Sequence, residues 1–429
     1  MSMPPHSVSA EDAEDYTAEP ASCPVRHPPI MEPDGARIPL YTGEYTTDPT
    51  RVFQQMRERY GALAPIELAP DVPATLVIGY HTAVRILQDP EHFPADPRTW
   101  QQTIPADSPI RPAMEWCPNA RRSTGEEHHR YRETYTSSID HIDLHSLHNA
   151  VAAVATPLIN NFCETGSADL TAQYVFPIVF QMINELIGCP PHIGQRIAEG
   201  MTAVSDASVD GAEAFRMIEE ALMELVRLRR EEPDNNVASW MARHPAQLDD
   251  TELLHQLFDF YGAGVEPLHN LIANALLLVI DDERFGSSVV GGSLSTRDAI
   301  DEVLFNNPPI ANLCMSYPRQ PILIDNYWLP AHQPVLISMA ACNNDPAVAG
   351  GDRIGNRSHL AWGSGPHACP AKNVAYLIAQ EAVDQLLDAV PEMELAIPRA
   401  DLAWRPGPFA RSLSSLPVVF PPSPPLPGA

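Results

Sequence analysis

Cys369 closes a run, Trp362-Gly363-Ser364-Gly365-Pro366-His367-Ala368-Cys369-Pro370-Ala371, in which two glycines and a proline shape a tight loop. A histidine, able to carry charge or donate a hydrogen bond, stands two positions before the cysteine. An amphipathic stretch suited to a long helix follows at once. That arrangement suits an iron held by thiolate. Backbone N–H groups in a glycine-rich turn can point at the sulfur and tune the metal. The positive N-terminus of the following helix favours thiolate over thiol. The plain alternative is a buried structural cysteine in a loop.

The elements that must position this loop are mostly helical by pattern. Residues 143–164 and 169–188 place apolar side chains at three- and four-residue spacing. Ala212 to Arg230 carries Phe215, Ile218, Leu222, Leu225 and Leu228 on one stripe, with Glu and Arg opposite. A longer candidate, about Asp250 to Asp282, is apolar almost all round and should cross the core. Strand candidates are short: Ala74 to Tyr80, Pro321 to Ile324 and Pro334 to Ser338. The expected class is mainly α with a small β part. Residues 1–35 lack periodicity and read as a disordered or loosely packed arm. Residues 36–420 read as a single domain, and 421–429 as a Pro-rich tail outside the core. Ser287 to Ser295 is the one flexible-looking internal stretch.

Composition narrows the function. The formal charge of −28 on 429 residues argues against nucleic acid or an anionic membrane as partner, since both need a basic face. Lys372 is the only lysine. The seven cysteines lie at least 26 residues apart, so there is no zinc-type pair and no secreted disulfide framework. No 18-residue apolar run and no signal-like N-terminus occur, so a soluble, cytoplasmic protein is expected. No phosphate loop, dinucleotide fingerprint, His-Glu-x-x-His or Gly-x-Ser-x-Gly is present, so neither flavin nor nicotinamide is expected on this chain.

The cysteine loop resembles that of the cytochrome P450 family, with Trp362 for the usual aromatic residue and Ala371 for the last glycine. The resemblance extends over roughly residues 40 to 420. It implies that fold, with a long central helix over haem b (iron protoporphyrin IX) and Cys369 as the iron ligand. Glu126-Glu127-His128-His129-Arg130-Tyr131-Arg132 resembles the family's Glu-His-x-Arg-x-Arg helix. His128 and Arg132 are four apart and share a helix face, so the resemblance places both, with His367, on the haem propionates. A solvated cationic helix face is the ordinary alternative. Ala340 to Pro346 resembles the family's Ala-Asn-x-Asp-Pro segment, and the last long helix is expected over about Ala371–Val390.

Three departures stand out. The family's Glu-x-x-Arg is here Glu302-x-x-Phe305, so an apolar contact or another arginine, Arg353 or Arg357, must replace the missing partner. The acid–alcohol pair of the central helix is Glu266-Pro267. Glu266 remains as the catalytic candidate, but proline cannot donate a proton and removes a helical N–H. Water, backbone or substrate would have to stand in. The propionate arginine after the Glu-x-x-Arg helix falls near Met315–Ser316, with Arg319 as its substitute.

Ala263 and Gly264 are expected to leave room above the iron, with Ile310, Ala311 and Asn312 along the wall. A lid over about Pro94 to Ala120 carries Trp100, Gln101, Gln102, Ile104, Met114 and Trp116. Its indoles either meet an aromatic substrate or pack inside the lid. The implied activity is oxidation of a small molecule with dioxygen, in specialised metabolism. Electrons would come from a ferredoxin and ferredoxin reductase docking at Arg121, Arg122, Arg130 and Lys372. Hydroxylation is the default, with radical C–C or C–N coupling of an aromatic substrate, such as a tryptophan-containing cyclic dipeptide, as the variant outcome. A non-catalytic haem-binding or substrate-presenting protein of the same fold is the rival.

Overall fold

The computed structural model describes residues 36–106, 108–206, 211–285, 294–348, 350 and 356–427. Arg353, most of the Ser287–Ser295 stretch and the N-terminal arm lie outside the described residues. The expected helices are present. Leu144–Asn160, Phe176–Ile187, Gly211–Glu231 and Asp250–Asp281 match the periodic segments, and Lys372–Ala389 follows the cysteine loop. Phe176–Ile187 is preceded by a π-helical turn, Thr171–Val175. These helices share one large apolar cluster, in which Leu253, Leu257, Leu271 and Leu276 of the central helix are almost wholly buried. The central helix is long and apolar enough to span a membrane, but 67% of its most apolar window is buried inside the protein.

A five-stranded sheet packs beside the helices. Its strand order is Ile38–Pro39, Leu63–Glu67, Pro73–Val77, Val335–Ser338 and Asn312–Ser316. Pro73–Val77 pairs antiparallel with Leu63–Glu67 and parallel with Val335–Ser338. Leu63–Glu67 is buried at four of its five positions and contains Pro65, so it shows no two-residue alternation. That is why the pattern misses it. The C-terminal tail is tied down where it is described. Leu426 N–H donates to Asn160 Oδ1 at 2.7 Å, Asn160 Nδ2 donates to the Leu426 carbonyl at 3.0 Å, and Leu426 packs on the main core.

The start of the central helix is a junction. Asp249 accepts from the Glu252 N–H at 2.8 Å while Glu252 accepts from the Asp249 N–H at 2.9 Å, a capping box that satisfies two free donors. The Glu252 carboxylate also takes Arg130 Nη2 at 2.8 Å and the Tyr131 hydroxyl at 3.0 Å from the His128 helix, Gly125–Asp140. Arg130 foremost, then the Asp249 N–H and Tyr131, outweigh burial and hold the Glu252 carboxyl down at about 2. A carboxyl depressed in the fold stabilises it above the unfolded value of about 4.5, and that contribution fades as pH falls toward 2. Glu252→Gln should cost about 2 kcal/mol at neutral pH, after discounting the solvent-facing Arg130. Its denaturation midpoint should fall less steeply than the parent's between pH 4.5 and 2. Parallel acid limbs in the two proteins would show that this junction carries no such coupling.

Candidate active site

The cysteine loop is shaped by two left-handed glycines, Gly363 at φ +66° and Gly365 at φ +70°. A Cβ on Gly365 would stand 2.1 Å from the Leu87 carbonyl oxygen, so the loop closes against the end of helix Tyr80–Leu87. Gln88 Nε2 donates to Ser364 Oγ at 2.7 Å across the same contact. The Cys369 N–H returns to the Trp362 carbonyl at 2.8 Å. Cys369 is a free, half-buried cysteine. Burial pushes its pKa up, opposed by the Ala371 N–H, Arg132 and Lys372. A metal cation at sulfur would reverse that balance. Among the described residues no group of three or more His, Cys, Asp or Glu can hold a metal ion, so an iron at Cys369 must bring other ligands with it.

The residues assigned to the propionates gather beside this loop. His128 and His367 lie with ring centroids 4.1 Å apart. Arg132 donates to the Ala368 carbonyl and acts electrostatically on Cys369. Burial first, then Arg132 and a neighbouring histidine, lower His128 to about 4 and His367 to about 3, so both rings are neutral at pH 7. His128 Nε2 and Trp362 Nε1 are buried without a hydrogen-bond partner among the described residues. Two orphaned ring nitrogens, one arginine and one half-buried thiol suit an iron porphyrin, whose carboxylates would meet the arginine's charge. Arg319 does not join them. It is exposed, and its electrostatic neighbour is Asp96, which Arg98 already pairs at 2.8 Å.

The central helix runs unbroken through Pro267. Tyr261, Val265, Leu268 and His269 are buried, whereas Gly262, Ala263 and Glu266 are exposed along one stripe. Glu266 is accessible yet surrounded by protein on most sides, as befits a side chain on the wall of an internal cleft. Burial raises its carboxyl, opposed by Arg405 and by a hydrogen bond with Ser412. Ser412, itself buried, donates to Asn270 Oδ1 at 2.7 Å. The sequence reading offered no hydroxyl beside Glu266; the fold brings one from the C-terminal segment. Gly264 leaves the open stripe: a Cβ there would lie 3.0 Å from Ile183 Cδ1, so its small size serves helix packing. Ile310 is half-buried and bridges to Ala410, and the buried Ala311 N–H donates to the Phe409 carbonyl at 2.8 Å.

The lid indoles divide. Trp100 is buried against Tyr317 with ring centroids 5.5 Å apart, which makes it core. Trp116 lies under Arg98, and its Nε1 is buried without a partner among the described residues. Three of the four cations assigned to donor docking are already engaged. Arg121 pairs with the buried Asp259 at 2.7 Å, Arg122 donates to the Glu115 and Ala113 carbonyls, and Arg130 holds Glu252. Of these four, Lys372 alone stands exposed without an ion pair among the described residues.

The missing arginine at 305 is answered twice. Phe305 meets His359 edge-on, with ring centroids 5.2 Å apart. One position before Glu302, the buried Asp301 takes Arg357 Nε at 2.9 Å and the Tyr376 hydroxyl at 2.8 Å, linking helix Thr296–Asn306 to the approach of the cysteine loop and to the helix behind it. Among the described residues Glu302 itself pairs only with the exposed Arg284, at 2.7 Å. Asn343 completes the support: its Nδ2 donates to the Leu304 carbonyl at 2.9 Å and its Oδ1 accepts the Leu360 N–H at 2.7 Å. Arg357→Ala, which leaves the buried Asp301 carboxylate with the Tyr376 hydroxyl but no cation among the described residues, should cost about 2 kcal/mol once the solvent-facing guanidinium is discounted. Glu302→Ala should cost less than about 1 kcal/mol. Chemical denaturation checks the order, and a larger loss at Glu302 would return the supporting role to the family position.

No protein-family model matches the chain. Among curated proteins it is 25% identical, over 92% of its length and 97% of the relative's, to 2-hydroxy-5-methyl-1-naphthoate 7-hydroxylase of Streptomyces carzinostaticus. It is 24% identical to the cytochrome P450 monooxygenase PikC of Streptomyces venezuelae, over 87% of this chain and 92% of that one. Among solved structures it superposes on CYP154C4 from Streptomyces sp. ATCC 11861 with a TM-score of 0.82, at 23% identity, covering 90% of this chain and 99% of the other. Along nearly its whole length the chain is thus similar to bacterial cytochrome P450 enzymes, and its fold is the one that solved cytochrome P450 structures share.

Proposed function

We propose that the protein hydroxylates a small molecule in specialised metabolism, with Cys369 holding the iron of haem b. The observation that carries this reading is the junction of the half-buried Cys369 with His128, His367 and Arg132. When bound, the haem supplies reductive activation of dioxygen. Cys369 would ligate it, Arg132 would supply positive charge to its carboxylates, and the two neutral histidines would orient them by hydrogen bonds. Gly262 and Ala263 leave the space on the open face of the central helix, and Ile310 and Ala311 wall it. Electrons come from a ferredoxin and its reductase, on the side where Lys372 is exposed. The protein works in the cytoplasm, like its soluble bacterial relatives. Hydroxylation is favoured over aromatic coupling because Trp100 and Tyr317 are buried on each other, which removes the paired indole face that coupling would use.

Proton supply falls to Glu266 and Ser412. A protonated Glu266 can donate to Ser412 Oγ, which donates onward to Asn270 Oδ1; an ionised Glu266 can accept from the same hydroxyl. One serine thus holds either protonation state without rearranging the helix.

Cys369→Ala should abolish the red-shifted ferrous–CO absorbance band while the other cysteine variants keep it. Loss of that band in a different cysteine variant, with Cys369→Ala unaffected, would move the ligand elsewhere. With a surrogate ferredoxin and reductase, Glu266→Gln and Ser412→Ala should each cut product per electron by about tenfold and divert electrons to peroxide. Because the two act on one proton, the double variant should be little worse than either single one. Fully additive losses would show that they serve separate steps.

A further inference from the structure

Beside this site a groove of 550 Å³ opens between helix Pro49–Tyr60, the end of helix Thr296–Asn306 and residues 399–411. Its lining holds four arginines and one carboxylate, Asp48; four less one leaves +3 in a protein whose formal charge is −28. Arg399 is neutralised by Asp281. The other three have no carboxylate within ion-pair reach among the described residues. Arg57 gives its N–H groups to the Ile78 and Ala341 carbonyls at 3.3 and 3.1 Å. Arg411 donates to the Thr46 carbonyl at 3.1 Å and lies 4.0 Å over the Trp404 ring. The Arg405 guanidinium is exposed and donates no hydrogen bond among the described residues. Like charges gathered in one concavity repel, and a bound counter-charge relieves them.

The shape and chemistry of the groove limit what that counter-charge is. The volume suits a drug-sized molecule. Phe53 and Trp404 contribute apolar wall. Asp48 occupies the N-terminus of its helix, accepting from the Arg51 N–H at 3.0 Å, so the planar guanidinium forks are the charged donors left for an anion, beside the amides and hydroxyls of the lining. We propose that the groove binds an organic carboxylate, with its acid group on Arg405 and Arg411 and its apolar body against Trp404 and Phe53. Arg405 lines this groove and also acts electrostatically on Glu266 of the cleft wall, so the acid is the substrate itself, its far end passing toward the cleft. That link rests on the oxidase reading; the binding does not.

The test is calorimetry on the full chain with 3-phenylpropionate, its neutral isostere 3-phenylpropionamide, and inorganic phosphate. The acid should bind at least about tenfold more tightly than the amide, and Arg405→Gln should erase that preference while leaving the melting temperature unchanged. Equal affinity for acid and amide, an unchanged preference in Arg405→Gln, or displacement of the acid by a lower concentration of phosphate would each overturn the proposal. The substrate link is read separately, as a spin-state shift of the Soret band when the acid is added to haem-loaded protein. Calorimetric binding without that shift overturns the link. Arg405-dependent binding in a protein whose Cys369 assignment had failed would leave the groove standing and remove the oxidase reading alone.

Discussion

A Cβ at residue 365 would sit 2.1 Å from the Leu87 carbonyl oxygen, so backbone meets backbone where the cysteine loop turns. The rest of the site hangs on that contact. It seats the loop against one short helix, and the Ser364–Gln88 bond holds it in register. It sets the start of helix Lys372–Ala389, whose Tyr376 reaches Asp301. Any side chain at 365 would push the loop outward and take Cys369, His367 and the Ala368 carbonyl held by Arg132 with it.

The support beneath that loop is redistributed, not lost. A Glu–Arg pair within one helix turn would be a local device. Here Asp301 reaches 56 residues along the chain to Arg357 and across to Tyr376, while Asn343 links the Leu304 carbonyl to the Leu360 N–H. Each of these ties two elements that flank the loop. Phe305 then contributes through its face-to-edge contact with His359, a packing role that an arginine would not fill.

Much of this was legible in the sequence, and the remainder has a common physical cause. Long helices announce themselves through periodicity, and the cysteine loop through glycine, proline and histidine at fixed offsets. What the sequence hides is pairing across distance. Arg121, Arg122 and Arg130 look like a free cationic face until the fold brings Asp259, the Glu115 carbonyl and Glu252 to them. Ser412 lies 142 residues from Asn270 and carries no motif. Gly264 stands beside Ala263 in the chain, yet one helical step of about 100° turns it from the cleft to Ile183. Leu63–Glu67 escaped because a strand buried on both faces has no alternation to read.

Pro267 has one more effect on the cleft it borders. A proline has no N–H to return to the carbonyl four residues earlier, and that carbonyl belongs to Ala263, on the open stripe of the central helix. The wall therefore carries a backbone acceptor alongside the Glu266 carboxyl. Side-chain changes at 263 would alter its surroundings but not remove it. Selection for a molecule bearing a donor at that depth is thus written into the main chain, through a residue whose own side chain has no polar atom.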